Sequence, residues 1–484
     1  MMFRYSKIIP SFIVPLKFSL PSLTPSPLSI CRSLKSRFGM AACLSSSTTG
    51  ADGNQKVRYY EYKCIYGVEH LEKYEPGGYH PLMIGDILHN RYKIVTKLGF
   101  GGFSTVWLAL DASKKQYVAL KVGVADQDQP RHESETLHKL SNAASSVSRA
   151  HPGHRLIPAI LDEFVVDGPN GRHPCYTTLP ARCDLGDAAY GYVFPLQTVR
   201  ALAAGITQAL AYMHSRGFIH GDVHIRNILV KTSPKLDSLS IEDFYKQYGE
   251  PNLTPVEHRD GKSLPPNIPS MAVTPIYIGR ITADQFTLTD ARVMLSDFGE
   301  AFSPASHHRQ AQDSHTPLGT RPPEARFEPC NPLSYAADIW SLGLLIWRIL
   351  GLKSLFTTEF PCPDELVSQY IDVLRPGPDG IDMPESWWRQ WDGRDKFFDN
   401  NREPIPNREI WPSLETGFDH QVQYWRRKDQ MGEFGDDERR AILDLLRQML
   451  KFIPAERATA EQVLESEWMV KWALPDFQRS YLDE

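Results

Sequence analysis

The sequence predicts an α+β fold in which a small β-rich lobe leads into a larger helical lobe, and three observations carry that expectation. Residues 90–122, NRYKIVTKLGFGGFSTVWLALDASKKQYVALKV, set Val95, Val106, Leu108 and Val118 among aliphatic positions with glycines between them, the pattern of strands divided by turns. From about residue 195 the apolar spacing becomes three and four, with Val199, Leu202, Ile206, Leu210 and Met213 on one helical face. A chain of 484 residues also exceeds one small core and suits two lobes, at roughly 100–200 residues each.

Taken in order, residues 1–54 stand apart. They hold six basic residues (Arg4, Lys7, Lys17, Arg32, Lys35, Arg37), many Ser and Pro, and no acid before Asp52. Two readings fit: a disordered extension, or a mitochondrial targeting segment over 1–40, although the prolines at 10, 15, 21, 25 and 27 break any long amphipathic helix. Met40 is an alternative start. A leading segment follows over 55–92, then the β-rich lobe over 93–182. Within that lobe PRHESETLHKL (130–140) suits a short helix with Leu137 and Leu140 on one side. Residues 156–179 read as a hairpin turning at Gly168-Pro169-Asn170-Gly171.

The helical lobe spans 183–478. Gly217 closes its first long helix as a residue just past the end would. Residues 233–285, rich in Pro, Ser and Asp, read as an insertion that is largely extended or loop-like. SYAADIWSLGLLIWRILG (334–351) is apolar nearly all round and should be a buried helix. DDERRAILDLLRQMLKF is amphipathic, and Thr459 with Gln462 forms a capping box for a last helix. WWRQWDGRDKFF (387–398) is read as core packing for an inserted loop.

Bulk chemistry narrows the function classes. With 53 basic against 58 acidic residues the net charge is −5, which lacks the basic excess of a direct nucleic-acid binder. Seven cysteines, odd in number and never spaced C-x-x-C, argue against a disulfide framework or a zinc site and fit a reducing compartment. His307, His308 and His315 lie close in sequence without the partners of a metal site. No apolar run approaches the ~20 residues of a membrane span, so a soluble chain is expected.

Several motifs carry chemistry. LGFGGFSTV (98–106) lies between two expected strands, where glycines let backbone N–H groups close over phosphates. No helix follows it directly, as a dinucleotide fold would need, and the Gly-Lys-Ser/Thr of a Walker loop is absent. VALK (118–121) puts Lys121 on a strand, placed to hold α- and β-phosphates. Glu133 in the next helix is preferred over Glu135 as its partner, because Leu137 and Leu140 then fall on the packing side. HGDVHIRNILV (220–230) has Asp222 followed five residues later by Asn227, the spacing that resembles a protein-kinase catalytic loop with Asp222 as base. SDFGEAF (296–302) supplies Asp297, a carboxylate for Mg²⁺, with Asn227 as second metal ligand. Glu324 and Arg457 are expected to form a buried ion pair, and Asp338, charged within an apolar helix, to bind the catalytic-loop backbone.

The order of these parts resembles a eukaryotic protein kinase, with a small β-rich N-lobe and a large helical C-lobe, over roughly residues 75–470. Within that superfamily YEPGGYHPLMIGDILHNRYKIVTKLGFGGFSTVWLALD (74–111) looks like the leading segment of the SR-protein kinases, notably in GGYHP, IGD, NRY and FSTVWLA. The insertion between catalytic loop and DFG also matches, although it is short, as in fungal-type members. The resemblance implies a serine/threonine kinase that phosphorylates Ser in Arg/Ser-rich proteins controlling mRNA splicing, resident in cytoplasm and nucleus. It implies ATP and Mg²⁺ as cofactors and a monomer as the default. It places the nucleotide at Leu98, Gly99, Phe100, Gly101, Gly102, Phe103, Ser104, Val106, Ala119, Lys121 and Glu133, with Leu179 and Ala181 at the hinge.

The sequence departs from the family where DFGEAF replaces the DLG form, and from the usual kinase pattern where PPE replaces APE, Gly221 stands in place of Arg and His224 in place of Lys. Loss of that Arg implies an activation loop that needs no phosphorylation. His224, as a catalytic-loop residue, is expected to give reduced or pH-sensitive turnover. A scaffold that binds nucleotide without transferring phosphate is the competing reading. Between 354 and 388 seven acids (Glu359, Asp364, Glu365, Asp372, Asp379, Asp382, Glu385) face only Arg375, a local excess that would attract an Arg-rich peptide.

Overall fold

A computed structural model describes residues 60–125, 132–142, 150–232, 234–357, 362–375, 380 and 382–482. The expected extension and targeting segment lie outside the described residues. The N-lobe is a six-stranded antiparallel sheet in the order β1-β2-β3-β4-β6-β5, made of β1 (Ile87–Leu88), β2 (Tyr92–Phe100), β3 (Ser104–Asp111), β4 (Gln116–Gly123), β5 (Asp162–Gly168) and β6 (Gly171–Thr178). Its buried side chains alternate as strand geometry requires: Tyr92, Ile94, Trp107, Val118, Leu120 and Val122 build one apolar cluster. Helix α1 (His132–Ser141) follows β4.

The C-lobe is organised around two long helices, α2 (Leu196–Ser215) and, later, α4 (Tyr335–Leu350). Both are buried over most of their circumference, with Trp340 and Trp347 fully enclosed, as the apolar run of α4 requires. Gly217, at φ +79°, makes the turn that ends α2. Strands β7 (Ala181–Asp184), β8 (Ile228–Lys231) and β11 (Val293–Leu295) form a small sheet in the order β11-β8-β7. Ile228 pairs with Leu295, so the chain entering β8 and the chain leaving β11 emerge side by side. That register brings two distant motifs together.

The insertion is extended or loop-like over most of its length, as expected, but it also carries a helix that the sequence pattern did not reveal. Helix α3 (Ile241–Tyr248) starts at Ser240, whose hydroxyl accepts from the Asp243 N–H, and stops at Gly249. A hairpin of β9 (Asn252–Pro255) and β10 (Met271–Thr274) follows. Phe244 is fully buried and stacks on Tyr117 at 5.6 Å. The Tyr245 hydroxyl donates to the Val95 carbonyl at 2.8 Å, and the Ile276 N–H donates to the Lys97 carbonyl at 3.0 Å. Burial of the Phe244 face against the N-lobe is the physical reason that so short a helix persists.

The tryptophan-rich stretch is core, as expected: Trp387, Trp388, Trp391 and Phe398 are buried. The expected acidic patch is corrected in part. Glu359 and Asp379 lie outside the described residues. Asp364 is bonded by Arg326 at 2.5 Å and by the Trp391 indole at 2.8 Å, Asp372 by Arg408 at 2.6 Å, and Glu385 by Arg389 and Arg402. Arginines thus pair three of the five described acids, while Glu365 and Asp382 are exposed.

Candidate active site

A cleft of about 310 Å³ lies between the lobes, walled by Leu98, Val106, Ala119 and Lys121 from the N-lobe and by Asn227 and Asp297 from the C-lobe. Gly99, Phe100, Gly101, Ser104, Glu133, Leu179 and Ala181 also line it. Gly102 and Phe103 do not: they form the outer tip of the β2–β3 turn, and Phe103 is 61% exposed. Sequence reasoning missed Leu229 and Met294 on the floor and Ile276 and Tyr277, which the insertion contributes to the wall. No local motif marks these four; only the fold brings them there.

On the N-lobe side β4 pairs with β3 so that Lys121 lies opposite Val106. The Lys121 Nζ bonds Glu133 Oε1 at 2.6 Å and Oε2 at 2.7 Å, and lies 3.8 Å from Asp297 Oδ1. Between the two acids named for this role, the bond goes to Glu133. Burial alone would lower the Lys121 pKa, but Glu133, Tyr176 and Asp297 together raise it, so the ammonium stays charged. Glu133 also accepts from the Phe298 N–H at 3.3 Å, which ties α1 to the DFG turn.

On the C-lobe side the catalytic-loop backbone is held from below. Asp338 on α4 accepts from the His220 N–H at 2.8 Å, the Gly221 N–H at 2.9 Å and His214 at 2.9 Å. Burial would raise the Asp338 pKa, yet the His214 bond and the charges around it hold it below the ordinary carboxylate value. The buried His220 ring accepts from the Asp222 N–H at Nδ1, which leaves Nε2 as donor to the Ser296 carbonyl at 3.1 Å. Ser296 N–H in turn donates to Asn227 O at 2.8 Å. The Asp222 loop and the Asp297 turn are thus one hydrogen-bonded unit. Asp297 itself sits at φ +60°, a left-handed conformation that aims its half-exposed carboxylate into the cleft.

Asp222 Oδ2 accepts from the Asn227 amide at 3.1 Å and faces His224 Nε2 at 3.3 Å. His224 Nδ1 accepts from the Arg226 N–H, so its proton is on Nε2 and points at Asp222. Asp222 Oδ1 is buried with no protein partner, while the side chain as a whole stays partly exposed. The Asn227 amide nitrogen is committed to Asp222, which leaves its carbonyl oxygen available. That oxygen and the Asp297 carboxylate are hard donors of the kind Mg²⁺ takes.

Gly221 is a backbone requirement rather than a simple loss of charge. Its φ is +77°, and a Cβ there would meet the Glu300 carbonyl at 3.0 Å. Its own carbonyl accepts from the buried Thr316 hydroxyl at 2.8 Å, while Glu300 pairs with Arg309 at 2.7 Å and His315 at 2.8 Å. The activation segment is fastened by its own side chains. Beneath it Arg457 makes two bonds to Glu324 at 2.6 and 2.8 Å, the expected buried ion pair.

The family model described as Protein kinase domain matches residues 92–246 and 285–469, leaving only the middle of the insertion between them. A serine/threonine protein kinase of Aspergillus fumigatus is 26% identical over 83% of this chain and 90% of its own length. The serine/threonine-protein kinase SRPK of Physarum polycephalum is 25% identical over 83% of this chain and 91% of its own. Among solved structures a crystallised kinase domain superposes with a TM-score of 0.53 at 18% identity, covering 81% of this chain and 98% of that one.

Proposed function

The chain belongs to the protein kinase domain family, and on that premise we propose that it is a serine/threonine kinase moving the γ-phosphoryl group of ATP to serine hydroxyls of Arg/Ser-rich proteins in mRNA splicing. The observation that carries the chemistry is the convergence of Lys121, Glu133, Asn227 and Asp297 on one cleft, with Asp222 hydrogen-bonded to Asn227 beside it. The serine hydroxyl lies against the Asp222 carboxylate and its oxygen attacks phosphorus. A new P–O bond forms, the bond to the β-phosphate oxygen breaks, and the proton passes to Asp222. Asn227 orients that carboxylate, and Lys121, positioned by Glu133, holds the α- and β-phosphates. Asn227 and Asp297 would hold Mg²⁺, which supplies charge neutralisation on the phosphates. His224 stands where its Nε2 proton faces both Asp222 and the space before it.

The serine-in-Arg/Ser preference rests on the leading-segment motifs and on the relative named SRPK, since three acids of the acidic stretch are paired with arginines. The same reading places the protein in cytoplasm and nucleus. The test is phosphate transfer by the full chain from Mg²⁺-ATP to an Arg/Ser-repeat peptide, beside a Lys/Ser-repeat peptide and the Asp222→Ala variant. Labelling of the Arg/Ser peptide alone, lost in the variant by at least about 10³-fold, is expected. Equal labelling of both peptides removes the substrate preference, and no labelling of either removes the transferase reading.

A further inference from the structure

The glycine turn that faces the cleft is held by groups to which the sequence alone gives no role. Gly101 and Gly102 have open space where a side chain would stand, and Phe100 and Phe103 are exposed. Left to its own hairpin, the turn would be mobile. Yet the Tyr79 hydroxyl donates to the Gly101 carbonyl at 2.6 Å and lies 3.4 Å from that of Gly102. Lys73 Nζ donates to the Gly102 carbonyl at 3.2 Å, and the Val124 N–H donates to Phe103 O at 2.9 Å. Tyr79 is only 3% exposed, so its ring is fixed while its hydroxyl reaches the turn.

What fixes Tyr79 is an interlock between the leading segment and the insertion. Tyr62, Leu71, Tyr74 and Tyr79 share an apolar cluster with Val256 and Ile268. The Asn170 amide donates to the Tyr79 carbonyl at 2.7 Å and to the Asn267 carbonyl at 2.9 Å, and Asn267 donates to the Tyr74 carbonyl at 2.7 Å. Below them Lys97, buried on β2, bonds the buried Glu69 at 2.6 Å, and Tyr74 bonds the same carboxylate. Tyr79 is therefore anchored by two segments at once, and the turn by Tyr79.

We propose that Tyr79, seconded by Lys73, is a positioning residue that pins the glycine turn over the nucleotide phosphates and couples that turn to the interlocked leading segment and insertion. This rests on the kinase reading, but it concerns nucleotide binding rather than transfer. Pinning removes conformational freedom that ATP would otherwise have to remove, so it raises nucleotide affinity without touching substrate. Burial, with Glu69 nearby, pushes the Tyr79 hydroxyl up to about 12, so it remains a donor throughout the neutral range.

Tyr79→Phe in the full chain deletes the hydroxyl and keeps the packing. Calorimetry with Mg²⁺-ATP should show affinity weakened about fivefold, the worth of one lost neutral hydrogen bond. Amide exchange of peptides spanning 99–104 should quicken in the nucleotide-free protein, KM for ATP should rise with Kd, and KM for the peptide and kcat should hold. Lys73→Met, exposed enough to fold regardless, should weaken ATP about twofold by the same route. Affinity within twofold of the parent for Tyr79→Phe, or unchanged exchange at 99–104, overturns the proposal. A parent that binds ATP but labels no peptide overturns the transferase reading alone, since the affinity and exchange comparisons remain.

Discussion

At the scale of the residue, the catalytic loop shows how a departure from a motif is explained by geometry. Gly221 sits at φ +77° against the Glu300 carbonyl, so the penalty for a side chain comes from the backbone. Gly221→Ala should by itself cost about 1–2 kcal/mol, seen as a lower melting temperature, and Gly221→Arg should cost little more. A neutral Ala beside a damaging Arg would place the effect in charge instead. His224 is the second departure. Its Nε2 proton faces Asp222 Oδ2, and deletion of one such preorganised donor costs about 10²-fold in turnover. His224→Ala should lower kcat by about that factor with KM for ATP little changed, checked by steady-state kinetics on the Arg/Ser peptide. Both positions were legible in sequence as anomalies, because Asp222 and Asn227 fix the register of the loop. The contacts that explain Gly221, a bond from Thr316 and the close approach of the Glu300 carbonyl, join residues some 80–95 positions apart and leave no local pattern, whereas those of His224 lie two residues away on either side.

At the scale of the element, legibility follows apolar periodicity. Helices α2 and α4 bury long, regular stripes, so spacing alone reveals them, and the β5–β6 hairpin is marked by its Gly168-Pro169-Asn170-Gly171 turn. Helix α3 is eight residues with one fully buried side chain, and its Pro- and Ser-rich surroundings read as loop. The local signal was Ser240 with Asp243 three residues on, a cap that means little until Phe244 has a surface to bury against. That dependence is testable. Phe244→Ala should weaken the docking of the insertion by about 3 kcal/mol. Residues 241–276 should then become protease-sensitive, while α4, which shares no contact with Phe244's cluster, keeps its amide protection. Equal loss of protection in both would show the insertion to be integral to the whole fold rather than docked on the N-lobe.

At the scale of the molecule, the acidic stretch and the two-segment interlock make the same point: charge and polarity acquire meaning only after folding chooses partners. Asp364, Asp372 and Glu385 looked like an exposed field and are instead bonded by arginines from elsewhere. His80, in the leading segment, shows the opposite case. Its ring lies 4.7 Å from that of His173, and its Nδ1 is buried with no protein partner. Burial, then the neighbouring His173, lowers its pKa from 6.5 to about 4, and burial lowers His173 as well. Since the folded value lies below the unfolded one, the unfolded chain binds more protons between them. The stability tied to a neutral His80 is complete above pH 6.5 and is lost as pH falls towards 4. Allowing for partial exposure, the loss is ~2 kcal/mol. Urea midpoints should therefore fall between pH 7.5 and pH 4.5 more steeply for the parent than for His80→Gln, which cannot take up the proton. Because His80 directly follows Tyr79, the same acidification should quicken amide exchange at 99–104 in the parent before the C-lobe unfolds. If the two proteins lose stability in parallel, the proton is taken up elsewhere and the leading segment is not the acid-sensitive part of the fold.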